Sequence, residues 1–170
     1  NINFVHYGIF QSKDEWPNVK DVDNYNIGLF HGPIHSSHTD IGYIVSNKSI
    51  TVNSFAGCDI VMCGDIHRRQ IVQTGDDMMI VYAGSLIQQN HGESLDGHGF
   101  VEWSLNSDGK VFDCEFIDIQ NDWGYYTLTI DNGIVPIVTD MPRNPRLRIR
   151  VINTDASKLK RALAKVRSKC

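Results

Sequence analysis

Two short stretches of this chain place metal-ligating side chains directly after an apolar run of strand length. In Asp59-Ile60-Val61-Met62-Cys63-Gly64-Asp65-Ile66-His67-Arg68-Arg69-Gln70, the run breaks at Gly64 and presents a carboxylate and an imidazole two residues apart. On an extended exit that spacing sends Asp65 and His67 to one side and Ile66 to the other. In Ile27-Gly28-Leu29-Phe30-His31-Gly32-Pro33-Ile34-His35-Ser36-Ser37-His38, a second apolar run ends in His31 and a Gly-Pro turn signal. Carboxylate and imidazole suit divalent metals. Two buried strands that deliver such groups at their exits define a site on one sheet edge, where open α/β sheets bind their ligands. Asp-x-His alone is common by chance, and a polar loop after a buried strand is the competing explanation.

Hydrophobic patterning gives the elements that must position these residues. Asn1 to Gln11, with Ile2, Phe4, Val5, Tyr7, Ile9 and Phe10, predicts a strand. Ser12 to Asn24 is polar, holds Trp16-Pro17 and reads as a loop. Strands follow at Tyr25 to Phe30 and Asp59 to Cys63. Thr39 to Ser46 fits a turn or a short helix, and Ser49 to Cys58 is undecided. Ile71-Val72 and Met78 to Tyr82 flank Gly75-Asp76-Asp77; Gly99 to Leu105 and Val111 to Ile119 flank Asn106-Ser107-Asp108-Gly109. Both read as hairpins. Tyr125 to Ile130 is a further strand. Leu147, Ile149 and Val151 alternate with Arg146, Arg148 and Arg150, the clearest half-buried strand in the chain. Thr154-Asp155 can cap a helix whose Leu159, Ala162, Leu163 and Val166 form one apolar stripe.

Composition bounds the rest. The chain has 170 residues, 41% hydrophobic and 21% charged, the balance of a globular protein. No run of 18 apolar residues and no secretory leader are visible, and Cys58, Cys63, Cys114 and Cys170 form no C-x-x-C pair. Those features exclude a helical membrane protein and a disulfide scaffold, and predict free thiols in a reducing, cytoplasmic setting. The absence of an initial Met predicts a fragment or a processed product. The net charge of −4 is unevenly spread: of 16 Lys and Arg, 10 lie between Arg143 and Cys170 beside a single acid, Asp155. That shift predicts a boundary near Met141-Pro142-Arg143, giving domains 1–142 and 143–170. One strand and one helix cannot bury both their faces, so 143–170 reads as the start of a small basic α/β domain. A basic segment suits a nucleic-acid backbone; a solvated surface is the plainer alternative. No internal repeat or low-complexity segment is present.

Three segments together resemble the calcineurin-like metallophosphoesterases, and within them the SbcD-type DNA repair nucleases. They are the two stretches above and Val81-Tyr82-Ala83-Gly84-Ser85-Leu86-Ile87-Gln88-Gln89-Asn90-His91-Gly92-Glu93, continued by Gly97-His98-Gly99-Phe100-Val101-Glu102-Trp103. The resemblance implies an α/β fold: a two-sheet metallophosphoesterase sandwich with flanking helices, C-terminal part only, followed by the start of a cap domain. It aligns His31 with the family's lone-His motif and Gly64-Asp65-Ile66-His67 with its G-H-x-H motif. His31 and Asp65 would then hold one metal and His67 the other, with Asp65 standing where the pattern has His. Nothing before His31 resembles the family's D-x-H, G-D or G-N-H motifs, so half of the ligand set is missing from this stretch. Reading Asp65-Ile66-His67 as D-x-H and Asn90-His91 as part of G-N-H leaves too little room between them and only His98 afterwards.

The function so implied is two-metal hydrolysis of DNA phosphodiesters, with two Mn²⁺ ions, or Mg²⁺ or another divalent ion, activating water and stabilising the attacking and leaving oxygens. Implied partners are DNA, an SbcC-type SMC-like ATPase subunit and a second copy in a homodimer, with no membrane. Arg68 and Arg69, directly after the site, and His35 are candidate contacts to DNA phosphate; a solvated turn explains the arginines as well, and a loop surface explains His35 and His38 better. His91 and Glu93 are candidate supports of the metal ligands, with a plain loop as the competing reading. Two alternative functions are a phosphoesterase acting on a small phosphomonoester or cyclic nucleotide, and a non-catalytic module that binds DNA or a partner.

Overall fold

A computed structural model describes residues 1–20, 23–75, 78–106 and 112–167. The chain divides into two compact units, residues 1–87 with 92–119 and residues 88–91 with 120–170. The compositional shift near residue 142 therefore falls inside the second unit.

The first unit is built on a five-stranded sheet. Its strands are β1 (Ile2–Tyr7), β2 (Tyr25–His31), β3 (Ile60–Gly64), β4 (Gln70–Gln73) and β5 (Met79–Tyr82), in the order β1-β2-β3-β5-β4. β1, β2, β3 and β5 run parallel, and β4 pairs antiparallel to β5 with an irregularity between Ile71 and Gln73. The turn at Asp76-Asp77 lies outside the described residues. Register partners share a face. Tyr7, Phe30, Val61, Cys63, Ile80 and Tyr82 accordingly line one side of the sheet and enter a single core with Ile34, Val45, Phe55 and Ile66. Phe55 is fully buried, and its ring lies 5.1–5.9 Å from those of Tyr7, Phe30 and Trp16.

Among the described residues no α-helix covers this core. Residues 32–58 cross it as extended chain and short 3₁₀ turns. His38 bridges Ile44, Ser36 and Val45 are joined by an N–H to carbonyl bond of 2.8 Å, and His35 N–H reaches Ile50 O at 2.8 Å. Gly32, Pro33, Gly42 and Gly57 interrupt the segment, and it carries no apolar stripe of helical period. The other side of the sheet meets a hairpin of β6 (Gly99–Leu105) and β7 (Phe112–Asp118). Tyr25 hydroxyl donates to Asn106 carbonyl, and Cys114 Sγ lies 3.5 Å from Met79 Sδ. The turn residues 107–111 lie outside the described residues. Two strands are too few to bury that face, and Ile2 and Phe4 on β1 stay 49% and 66% exposed.

The second unit pairs β8 (Trp123–Asp131) and β9 (Asn144–Ile152) in parallel and packs them on α1 (Ala156–Arg167). Leu128 and Ile130 meet Ala162 and Val166, supported by Leu147, Ile149, Leu159 and Leu163. Asp155 caps the helix, its Oδ1 accepting from Lys158 N–H at 2.9 Å.

The expected α/β metallophosphoesterase sandwich with flanking helices is thereby overturned. The described residues form nine strands in sheets of five, two and two, and a single α-helix that packs on β8 and β9. The expectation of flanking helices came from the resemblance; Thr39 to Ser46, read as a turn or a short helix, forms a turn. Because Phe55 anchors the irregular layer, Phe55→Ala should destabilise the first unit by about 3–5 kcal/mol. Urea unfolding followed by tryptophan fluorescence checks this, and a loss below about 1 kcal/mol would show that the loop layer contributes little to the core.

Candidate functional site

Parallel pairing brings the two sequence stretches together. His31 and Gly64 are register partners at the C-terminal ends of β2 and β3, and Gly32 N–H donates to Gly64 O at 3.3 Å. The His31 ring lies over Gly64 so closely that a Cβ there would meet Nδ1 at 2.6 Å. Tyr82 holds the turn beyond His31. Its buried hydroxyl donates to Gly32 O at 2.6 Å and accepts from Ile34 N–H at 3.0 Å, and burial raises its pKa. Gln70 clamps the next turn, exchanging hydrogen bonds of 2.8 Å with the His38 backbone.

After Gly64 the backbone turns sharply. Asp65 has φ +90°, a conformation that few side chains adopt, and its carboxylate is exposed. Ile66 enters the core and His67 returns to the surface. His67 is held by its neighbours. Its Nδ1 lies 2.9 Å from Glu93 Oε1, and the Glu93 side chain is 1% exposed against 46% for His67. Ser85 hydroxyl lies 3.2 Å from Glu93 Oε2 and 3.0 Å from Nδ1 of buried His98. His98 Nε2 lies 2.8 Å from Ser94 O. Ser85 N–H also donates to His67 O at 2.9 Å. That close approach requires Gly84, at φ +79°, where a Cβ would stand 2.7 Å from His67 O and 2.8 Å from Arg69 N. The Gly-Ser pair thus braces the segment that carries His67.

A carboxylate accepts, so the Glu93 contact favours a proton on His67 Nδ1, and in the neutral ring that tautomer carries its lone pair on Nε2. Metal-binding histidines are oriented in this way. The fit stops there. Among the described residues no group of three or more His, Cys, Asp or Glu side chains is placed to hold a metal ion, so the set His31, Asp65 and His67 does not close a metal centre by itself.

The remaining candidates separate. Arg68 is exposed beside the site. Arg69 is already engaged, paired with Asp118 and lying over the Phe116 ring at 5.4 Å. His35 is half-buried, and its Nδ1 has no hydrogen-bond partner among the described residues. His91 belongs to the second unit, where it packs edge-on against Tyr125 at 5.1 Å. Ser85 and His98 were missed as supports of His67. The Tyr-Ala-Gly-Ser segment was the available signal, since a Gly-Ser pair directly after a buried strand marks a close backbone approach.

No protein-family model matches the chain. Over 144 residues, 85% of its length, it is 41% identical to an uncharacterized protein of Acanthamoeba polyphaga mimivirus, and the match covers 10% of that protein. The chain thus spans about a tenth of the length of the curated relative it matches. Among the described residues no helix is long and apolar enough to cross a membrane.

Asp65 at φ +90° predicts a trade of stability for the placement of its carboxylate. Asp65→Gly should raise the stability of the first unit by about 1 kcal/mol. Thermal or urea unfolding measures it; a destabilised Gly variant would show that the Asp65 conformation carries no strain.

Proposed function

We propose that this chain contributes ligands to a metal-dependent phosphodiesterase acting on DNA. The observation that carries this reading is the His67–Glu93 pair, an exposed imidazole oriented through Nδ1 by a buried carboxylate at 2.9 Å. His31 and Asp65, at the exits of adjacent parallel strands, are the further ligands in this reading. The resemblance of Gly64-Asp65-Ile66-His67 and Tyr82-Ala83-Gly84-Ser85 to the SbcD-type nucleases supplies the substrate class and rests on these local motifs, not on architecture. The described residues do not complete a two-metal centre, so the remaining ligands come, in this proposal, from elsewhere in a longer protein or from a partner subunit, and no hydrolytic step is assigned to this segment. Two Mn²⁺ ions, an SbcC-type ATPase partner, a homodimer and a cytoplasmic location belong to the same proposal; the free thiols of Cys58, Cys63 and Cys114 support a reducing compartment. The lack of a three-ligand group favours a second reading, a binding module that keeps the fold of the site without turnover.

Equilibrium dialysis of this chain against Mn²⁺ separates the two. The phosphodiesterase reading predicts weak binding of Mn²⁺ that His67→Ala abolishes and Glu93→Gln weakens about 10–100-fold. Absence of binding, or binding that neither substitution changes, would overturn it in favour of the binding module.

A further inference from the structure

The second unit presents an unusual surface on the side of its sheet away from α1. The parallel register pairs Tyr125 with Arg146, Thr127 with Arg148 and Thr129 with Arg150. Neighbours in register share a face, so three guanidinium groups and three hydroxyls stand in two adjacent rows. Leu128, Ile130, Leu147 and Ile149 point the other way, into the core with the helix. All three arginines are exposed. At about 3.3 Å per residue they recur every 6.6 Å or so, over about 13 Å.

A solvated charged face is the ordinary explanation of such a row, and the cross-strand partners argue against it. Opposite charges across a strand pair stabilise a sheet and like charges side by side destabilise it. β8 offers neutral hydroxyls where carboxylates would compensate the arginines. Asp131 follows Thr129 on the same face, but its carboxylate accepts from the Asn132 and Asn153 amides at 3.1 and 3.2 Å. None of the ion pairs among the described residues involves Arg146, Arg148 or Arg150.

The row is also pre-organised. The Arg146 guanidinium lies over the Tyr125 ring at 5.1 Å and donates to its hydroxyl at 2.5 Å. His91 packs against the same ring, and its Nδ1 lies 3.5 Å from the Thr127 hydroxyl. Partial desolvation, followed by the positive charge of Arg148, lowers the His91 pKa from its ordinary value. The Tyr125 ring is thus occupied by its neighbours and offers no stacking platform for a base. What the face offers is a line of planar cationic forks flanked by hydroxyl donors, the groups that proteins use on phosphate oxygens.

We infer that the outer face of the β8–β9 sheet is a sequence-independent binding surface for the phosphate backbone of a nucleic acid. The inference rests on the second unit alone and stands or falls apart from the metal reading of His67. Consecutive phosphates are the recognised feature, so a single strand and a duplex are both candidate sources, and base identity contributes nothing.

Fluorescence anisotropy of a labelled oligonucleotide, single-stranded and duplex, tests it on the full chain between about 50 and 200 mM salt. Arg146→Ala/Arg148→Ala/Arg150→Ala should weaken binding about tenfold or more at the lower salt and flatten the log–log salt slope by about 2, as expected for three lost phosphate contacts on a single strand. The arm that binds more tightly identifies the source. A charge-matched control, Lys160→Ala/Arg161→Ala/Arg167→Ala on the helix, should leave most of the affinity, and an Arg-to-Lys triple should retain binding if the first variant loses its fold. Equal losses from the sheet and helix variants would reduce the effect to net charge and overturn the assignment. Absence of oligonucleotide binding by the parent chain, or an unchanged salt slope in the sheet variant, would also overturn it.

Discussion

Four parallel strands in register impose the geometry of the first unit. Parallel pairing places the C-terminal ends of β1, β2, β3 and β5 on one edge, so residues far apart in sequence arrive side by side without any further device. It also sends the chain back across the sheet between strands, a return that helices usually make. Here the return between β2 and β3 is irregular chain pinned by Ile34, Val45 and Phe55. Its backbone is tied partly within the segment and partly to the sheet, where the buried Tyr82 hydroxyl and the Gln70 amide supply links. The far end of the ladder is pinned as well, by Asn26 N–H to Asp59 Oδ2 at 2.7 Å and Asp59 N–H to Asn26 O at 2.9 Å.

On that edge the polar chemistry converges on Glu93. A carboxylate with 1% of its side chain exposed must be hydrogen-bonded or it destabilises the fold. His67 and Ser85 are among the partners that meet that need, and the His67 contact orients the imidazole. The arrangement has two consequences from one cause: burial of the acid is compensated, and the outer nitrogen of His67 is aimed. Gly84 makes the approach possible, and the parallel register of His31 with Gly64 brings the second imidazole to the same edge.

Much of this was legible from particular residues. The apolar run ending at Gly64, the one ending at His31 and the alternation in β9 each announced a strand, because burial on one or both faces dictates their pattern. The stripe of Leu159, Ala162, Leu163 and Val166 announced α1 in the same way. The layer over the sheet was not legible. Residues 32–58 follow neither period, and their conformation is set by tertiary anchors that no local rule reports. The partnership of Glu93 with His67 was hidden for a similar reason: the two are 26 positions apart, and nothing in the loop composition separates a buried acid from a solvated one. The flanking helices of the sandwich came from the resemblance, and Thr39 to Ser46, which fitted a turn or a short helix, is a turn; the Gly and Pro content of 32–58 already opposed helix there. The arginine row was seen as strand alternation and net charge; its neutral cross-strand partners emerged only with the register of β8 and β9.

The central claim is that Glu93 holds a proton on Nδ1 of His67, so that the neutral ring carries its lone pair on Nε2. Nitrogen-15 NMR of the labelled chain near neutral pH measures this directly. The account predicts a protonated Nδ1 and an unprotonated Nε2 for His67, with the Nε2 resonance moving on addition of a diamagnetic divalent ion and the pattern lost in Glu93→Gln. A neutral His67 that carries its proton on Nε2 and not on Nδ1, or one whose tautomers are unaffected by Glu93→Gln, would contradict it.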